Sequence, residues 1–401
     1  MPVKTGLDYL SEVSFRPIKG AKLGICANQA SIDSNFNHIV DLVSSEESCE
    51  IVRLFAPEHG IRGELQDMEH ITELSDPLTG LPVVSLYGSG AETLVPSEDS
   101  LRDLDAILVD LPDIGSRYYT FAQTLAYTMR TAAKTNTKVI VVDRPNPING
   151  TSVEGGSLIE SCVSFCGLYP TSNRHGMTLG ELAKMFKEGI QVGEFGHDPI
   201  GCELEILPVS GWSREMYFDQ TGLPWVFPSP NMPTIEAAIT YPGTCLFEGT
   251  NLSEGRGTTM PFELLGAPFI DGEKWAEAVY SQGIKLEGVF LRPVYFKPKF
   301  SKWANEPCSG VQIHITDREK YDPYRFGLAL IASAKELYPN DFKWRQETYE
   351  FVENTPAIDL LFGSPDFRNC VNQGRPVSSL LSNITTFEKE FTQKRHPFLL
   401  Y

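Results

Sequence analysis

Short apolar runs alternate with helical stretches through the first half of the chain, and this alternation restricts the fold more than any other feature. The runs lie at residues 21–27, 51–55, 82–86, 106–109 and 138–142. Helical patterns cover 119–134 and 179–190, the second opened by Thr178 with Glu181 three residues on, which is capping-box spacing. Apolar runs too short for helices, with helices between them, read as parallel strands buried on both faces. The expectation is an α/β fold, a doubly wound and mostly parallel sheet with helices on both sides.

In such a sheet ligands bind beyond the carboxyl ends of the strands, where loops converge. Chemically capable residues collect at those ends. Asn28 follows the first run, Pro57-Glu58-His59-Gly60 the second, Tyr87-Gly88 the third, Asp110 to Tyr119 the fourth and Asp143-Arg144-Pro145-Asn146 the fifth. The opposite loops carry nothing comparable, so the chain reads as an enzyme with its site on that rim.

From residue 228 the texture changes to Pro, Gly and polar residues, then to strand-like segments at 289–296 and 311–315 and a helical one at 325–337. A smaller α+β C-terminal domain is expected, with residues 1–227 as the catalytic domain and 228–401 as an auxiliary domain closing the cleft. A loop this rich in turn formers that also carries Glu, Arg and Asn suits a site wall between domains.

Composition excludes several partners. The 34 Lys and Arg against 52 Asp and Glu give a net charge of −18, which repels nucleic acid and anionic membranes. No stretch has the length to span a bilayer, and the N-terminus lacks the apolar core of a secretory signal. A cytoplasmic location is expected, or export if a leader had been removed. Eight scattered cysteines without a C-x-x-C pair read as reduced, structural thiols. No G-x-G-x-x-G, G-x-x-x-x-G-K-[ST] or G-x-S-x-G occurs, so no nucleotide cofactor or serine elbow is expected. Asp110, Asp143, His59 and His175 could assemble a hard-ligand site, but no H-x-H or H-E-x-x-H supplies two ligands from one segment, so no metal and no cofactor is expected.

Glu58, flanked by Phe55 and Pro57, has the setting of a general acid raised by desolvation. Its plainer role is to cap a helix or pair with Arg62. His59 could polarise a substrate oxygen or hold the turn. Glu64 and Asp67 are further acids in that loop. Asp113 could serve as nucleophile or base, or pair with Arg117, while Tyr118 and Tyr119 offer faces for a sugar. Arg62, Arg117, Arg174 and Arg256 each stand in a motif loop of an acidic chain, which points to binding of a substrate carboxylate; Arg144 and His175 add to that mixture.

Taken together the loops resemble a known family. Asn28-Gln-Ala-Ser31, Phe55-Ala-Pro-Glu-His-Gly60, Asp113-Ile-Gly-Ser-Arg-Tyr-Tyr-Thr120, Asp143-Arg-Pro-Asn-Pro147, Arg174-His-Gly-Met-Thr178, Pro228-Ser-Pro-Asn-Met-Pro233 and Glu248-Gly-Thr-Asn251 with Ser253-Glu-Gly-Arg-Gly-Thr258 are similar to the exo-β-N-acetylmuramidases of the NamZ type, over nearly the whole chain. The resemblance implies a Rossmann-like N-terminal domain, a C-terminal auxiliary domain and a cleft between them. It implies an exo-acting glycosidase that frees N-acetylmuramic acid from the non-reducing end of peptidoglycan fragments by cleaving the β-1,4 bond to N-acetylglucosamine. The catalytic glutamate corresponds to Glu58, with a second group drawn from Glu64, Asp113 or Glu254, or from the substrate's acetamido group. Asn28, Asn231, Asn251 and Glu254 join the arginines as expected substrate contacts. The partner is then a small glycan, with oligomeric state left open. The alternatives are a non-catalytic protein that binds cell-wall fragments, and a metal-dependent hydrolase on the same fold.

Overall fold

Each apolar run becomes a strand of one sheet. In the computed structural model, which describes residues 2–63, 65, 69 and 75–401, these strands are β1 (Lys22–Ala27), β2 (Glu50–Ala56), β3 (Val83–Ser85), β4 (Ala106–Asp110) and β5 (Lys138–Val142). A short antiparallel hairpin follows, β6 (Ile190–Val192) with β7 (Phe195–His197), and then a sixth sheet strand, β8 (Leu204–Leu207). The sheet order is β3-β2-β1-β4-β5-β8, and every neighbouring pair is parallel. This is the order of a Rossmann-like doubly wound sheet, reversing between β1 and β4.

Because side chains alternate across a strand, a sheet covered on both faces must be apolar at every position. Leu23, Ile25, Leu54, Leu108 and Ile140 point to one core with Leu7 and Leu10 of helix Gly6–Glu12 and Val40 and Val43 of helix Ile39–Ser44. Cys26, Phe55, Ile107, Val109 and Val141 point to the other, against helices Phe121–Thr135 and Leu179–Glu188. Thr178 and Glu181 form the expected capping box on the second of these.

The second core does not stop at the sheet. It runs on through helix Ile235–Thr244 to Trp275, Leu328, Leu360 and Phe391. Beyond that helix, β9 (Leu264–Ala267), β10 (Val289–Phe296) and β11 (Cys308–Ile315) make an antiparallel sheet ordered β10-β11-β9. Helices Pro323–Leu337, Ala357–Phe362, Asp366–Asn372 and Leu381–Arg395 pack with it. All eight cysteines are free thiols, seven of them buried. Among the described residues no helix is long and apolar enough to cross a membrane.

Candidate active site

Strand β2 ends at Ala56, and the chain turns at once through Pro57-Glu58-His59-Gly60. The Gly60 amide donates to the Pro57 carbonyl at 3.0 Å. His59 and Gly60 both take left-handed backbone, with φ of 73° and 83°. For a histidine that conformation is uncommon and costs energy, so the turn is held by its surroundings. The His59 ring meets the Leu65 carbonyl through Nδ1 at 3.1 Å. The turn delivers the Glu58 carboxyl into a narrow cleft, where the residue is 5% exposed.

Thr120 completes the setting. It stands at the N-cap of helix Phe121–Thr135, yet its hydroxyl makes no capping bond. It donates instead to Oε2 of Glu58 at 2.7 Å. Among the described residues Glu58 is in no ion pair, and Arg62, its expected rival partner, is turned away. A carboxyl buried in a cleft, fixed through one oxygen and free of any cation, is built to offer its other oxygen to a ligand.

The facing wall comes from the C-terminal half. Arg256 donates through Nη2 to Oε1 of Glu248 at 2.8 Å, and the Tyr349 hydroxyl donates to Oε2 of Glu248 at 2.6 Å. Burial opposes the charge on Glu248, but Arg256 and Tyr349 outweigh it and hold the carboxyl below its ordinary range. The Arg256 guanidinium also lies 5.1 Å over the Phe262 ring. Glu350 faces the same cleft and accepts from the Tyr87 hydroxyl at 3.1 Å. Glu350 and Phe351 are both left-handed, with φ of 45° and 64°.

Arg256 is the only Lys or Arg among the described residues lining this cleft. The other candidate guanidiniums are engaged within the protein. Arg62 grips Asp76 through two bonds of 2.9 Å. Arg117 is buried and gives its Nη donors to the carbonyls of Gly156, Thr171, Leu361 and Phe362 at 2.9–3.3 Å. Arg144 clasps Asp110 and donates to the Ile32 carbonyl at 2.8 Å. Arg174 pairs with Glu154 at 2.5 Å and reaches the Ile148 carbonyl. Of the four arginines expected to grip an anion, Arg256 alone lines the cleft.

Several other candidates also turn out to shape the rim. Asp113 does not pair with Arg117; its Oδ2 accepts from the Gly115 amide at 2.7 Å and faces His175 Nε2 at 3.5 Å. Since His175 Nδ1 accepts from the Met177 amide at 3.1 Å, the ring proton sits on Nε2, toward Asp113. Asp113 and Arg144 border a separate groove walled by Phe218, Trp225 and prolines. Asn28 donates to the Pro228 carbonyl at 2.8 Å, tying the rim to the turn where Asn231 lies buried between Ser229 and Met232, which do line the cleft. The Tyr118 ring lines it too, with its hydroxyl given to the Pro242 carbonyl. Glu64 and Asp67 lie outside the described residues. Among the described residues no cluster of three His, Cys, Asp or Glu side chains could hold a metal ion.

On the other side of the Glu248–Arg256 pair lies a broader trough. Trp303, Trp344, Lys302, Lys343 and Arg345 line it, with Asn251 and Glu254. Asn251 is spent on the Asp341 carbonyl and the Lys343 amide, both at 2.9 Å. Glu254 is locked between Lys302 at 2.8 Å and Arg256 at 3.5 Å, which leaves it as the anchor of that wall. Glu248, Tyr349, Glu350 and Thr120 are site residues that the sequence reading missed. Glu248 opens a quoted motif and Thr120 closes another, so a signal existed for both. Nothing local marks Tyr349 or Glu350, which a strained turn brings in from far along the chain.

Comparison with known proteins places the chain in a family. Residues 23–236 match the N-terminal model, and residues 239–401 the C-terminal model, of the exo-beta-N-acetylmuramidase NamZ family. The peptidoglycan beta-N-acetylmuramidase NamZ of Bacillus subtilis (strain 168) is 39% identical over 399 residues, covering 100% of this chain and 91% of that protein. Two crystal structures of DUF1343 family proteins from Bacteroides fragilis NCTC 9343 superpose with TM-scores of 0.88 and 0.76, at 30% and 28% identity, each covering 100% of this chain and 99% of the other. With both halves matched in order along nearly its whole length, the chain belongs to the exo-β-N-acetylmuramidase NamZ family.

Proposed function

We propose that this protein is an exo-acting β-N-acetylmuramidase that releases N-acetylmuramic acid from the non-reducing end of peptidoglycan fragments. The Glu58 carboxyl carries the reading. It is buried in the cleft, fixed by Thr120 through one oxygen, and neutralised by no cation among the described residues. It donates a proton to the glycosidic oxygen as the bond to N-acetylglucosamine breaks. Glu248, ionised at neutral pH beside Arg256, is the carboxylate best placed to stabilise the positive charge that develops on the sugar. Residues 1–227 supply the acid and residues 228–401 the facing wall.

The inner cleft carries three carboxyl groups, Glu58, Glu248 and Glu350, against one arginine. The lactyl carboxylate of the muramyl sugar is therefore held from the trough side, where Arg256 meets Lys343 and Arg345. Trp303 and Trp344 give the remainder of the glycan a stacking surface there. The trough sets Arg256, Lys302, Lys343 and Arg345 against Glu248, Glu254 and Glu347, a more cationic lining than the inner cleft.

The test is Glu58→Gln, assayed on a chromogenic β-N-acetylmuramide and on the disaccharide MurNAc-GlcNAc. Release of muramic acid falls by about 10³-fold or more, while the disaccharide binds with nearly unchanged affinity by calorimetry. Retained turnover would remove Glu58 from the acid role. Wild-type protein that binds the disaccharide without cleaving it would make the protein a binding module.

A further inference from the structure

Four tyrosines line the Glu58 cleft, and the hydroxyls of two donate to protein acceptors. Tyr118 donates to the Pro242 carbonyl and Tyr349 to Glu248. The Tyr119 hydroxyl is buried and has no partner among the described residues. Tyr169, Tyr321 and Tyr324 also have unpartnered buried hydroxyls, but none of them lines this cleft.

A buried hydroxyl without a partner is disfavoured, and such groups in native proteins call for a reason. Packing alone supplies none. The Tyr119 ring is already held edge-on by Phe121 at 4.9 Å and by Tyr241 at 6.0 Å, contacts a phenylalanine would keep. We infer that the Tyr119 hydroxyl contacts the substrate, donating a hydrogen bond to an oxygen of the terminal sugar in the Glu58 cleft. The inference rests on the muramidase reading above and adds to it a substrate-binding residue.

The chemistry suits a neutral donor. Burial, with the negative charges of Asp113 and Glu58 behind it, pushes the Tyr119 hydroxyl well above the ordinary tyrosine range, so it keeps its proton at any working pH. Its neighbours also limit what it can bind. An anionic group would meet Glu58 and Asp113, whereas a hydroxyl or amide oxygen of the sugar accepts without that penalty. Tyr119 is adjacent in sequence to Thr120, so one rim segment fixes the acid and aims the donor.

The test is Tyr119→Phe, which removes one oxygen and nothing else. On the chromogenic β-N-acetylmuramide kcat/KM falls about 10- to 100-fold. Thermal unfolding stays within about 2 °C of wild type or rises, because no native bond is lost. A second measurement uses Glu58→Gln as background, where adding Tyr119→Phe weakens MurNAc-GlcNAc binding by several-fold in calorimetry. Activity within about two-fold of wild type would overturn the inference, and so would a loss of activity that tracks a matching loss of Tm. Wild-type protein inert on the glycoside would instead overturn the muramidase reading, and the tyrosine's role with it.

Discussion

Arg256 carries the largest burden of any single residue in the cleft. Its guanidinium neutralises Glu248, approaches Glu254 and covers Phe262, so it is positioned from three sides before a ligand arrives. If it also holds the lactyl carboxylate, its planar fork matters more than its charge. Arg256→Lys should then lower affinity for N-acetylmuramic acid by roughly 10-fold or more in calorimetry and leave N-acetylglucosamine, which lacks the lactyl group, almost unaffected. Equal losses for both sugars would take the carboxylate away from Arg256. The residue was legible in the sequence as one arginine of a motif loop in an acidic chain. Its three companions, Arg62, Arg117 and Arg174, carried the same signal and proved internal. Sequence shows that a guanidinium stands in a rim loop, but whether Asp76 or a backbone carbonyl claims it depends on segments far away along the chain.

At the scale of elements, Arg117 is a bolt. It leaves the β4 rim loop and ties it to the carbonyls of Leu361 and Phe362 at the end of helix Ala357–Phe362. Burial pulls its ionisation down, yet among the described residues no carboxylate comes forward to balance it, so carbonyl dipoles do that work. Arg117→Met fills similar space but strands those carbonyls, at a cost on the order of 3 kcal/mol. A clear fall in the unfolding midpoint, with KM unchanged in the protein that remains folded, is the expected result; a raised KM with unchanged stability would return Arg117 to the substrate. The strands that carry this rim were readable because parallel strands covered on both faces must be continuously apolar. β8 was not, since Leu204–Leu207 is a four-residue edge strand with a half-buried pattern. Helix Phe121–Thr135 begins two residues later than periodicity suggests: Tyr119 and Thr120 line the cleft, and the Thr120 hydroxyl donates to Glu58 instead of capping the helix.

Over the whole molecule, buried carboxyls set how stability responds to pH. Burial pushes Asp143 up to about 6, although four donors surround it. Burial, with Glu236 nearby, pushes Glu263 up to about 7. Each binds its proton more tightly folded than unfolded, so stability is lost as pH rises from the ordinary values of 3.8 and 4.5 to those raised values, and the loss is complete above pH 7. Asp8, Asp76 and Glu248 are shifted the other way. Their contribution is present above the ordinary values and disappears as pH falls below about 4. Burial raises Glu154 and Glu388 as well, so the Tm should rise as pH is lowered from 8 to about 5 and fall again below about 4, with Asp143 and Glu263 each worth on the order of 3 kcal/mol. Self-repulsion of the net −18 charge pushes in the same direction, but salt screens that part and leaves the buried groups largely untouched. Calorimetric scans from pH 4 to 8 at low and high salt separate the two, and Glu263→Gln should flatten the slope between pH 5 and 7 at either salt concentration. A Tm that climbs steadily from pH 5 to 8 would mean that these carboxyls are already ionised in the folded protein.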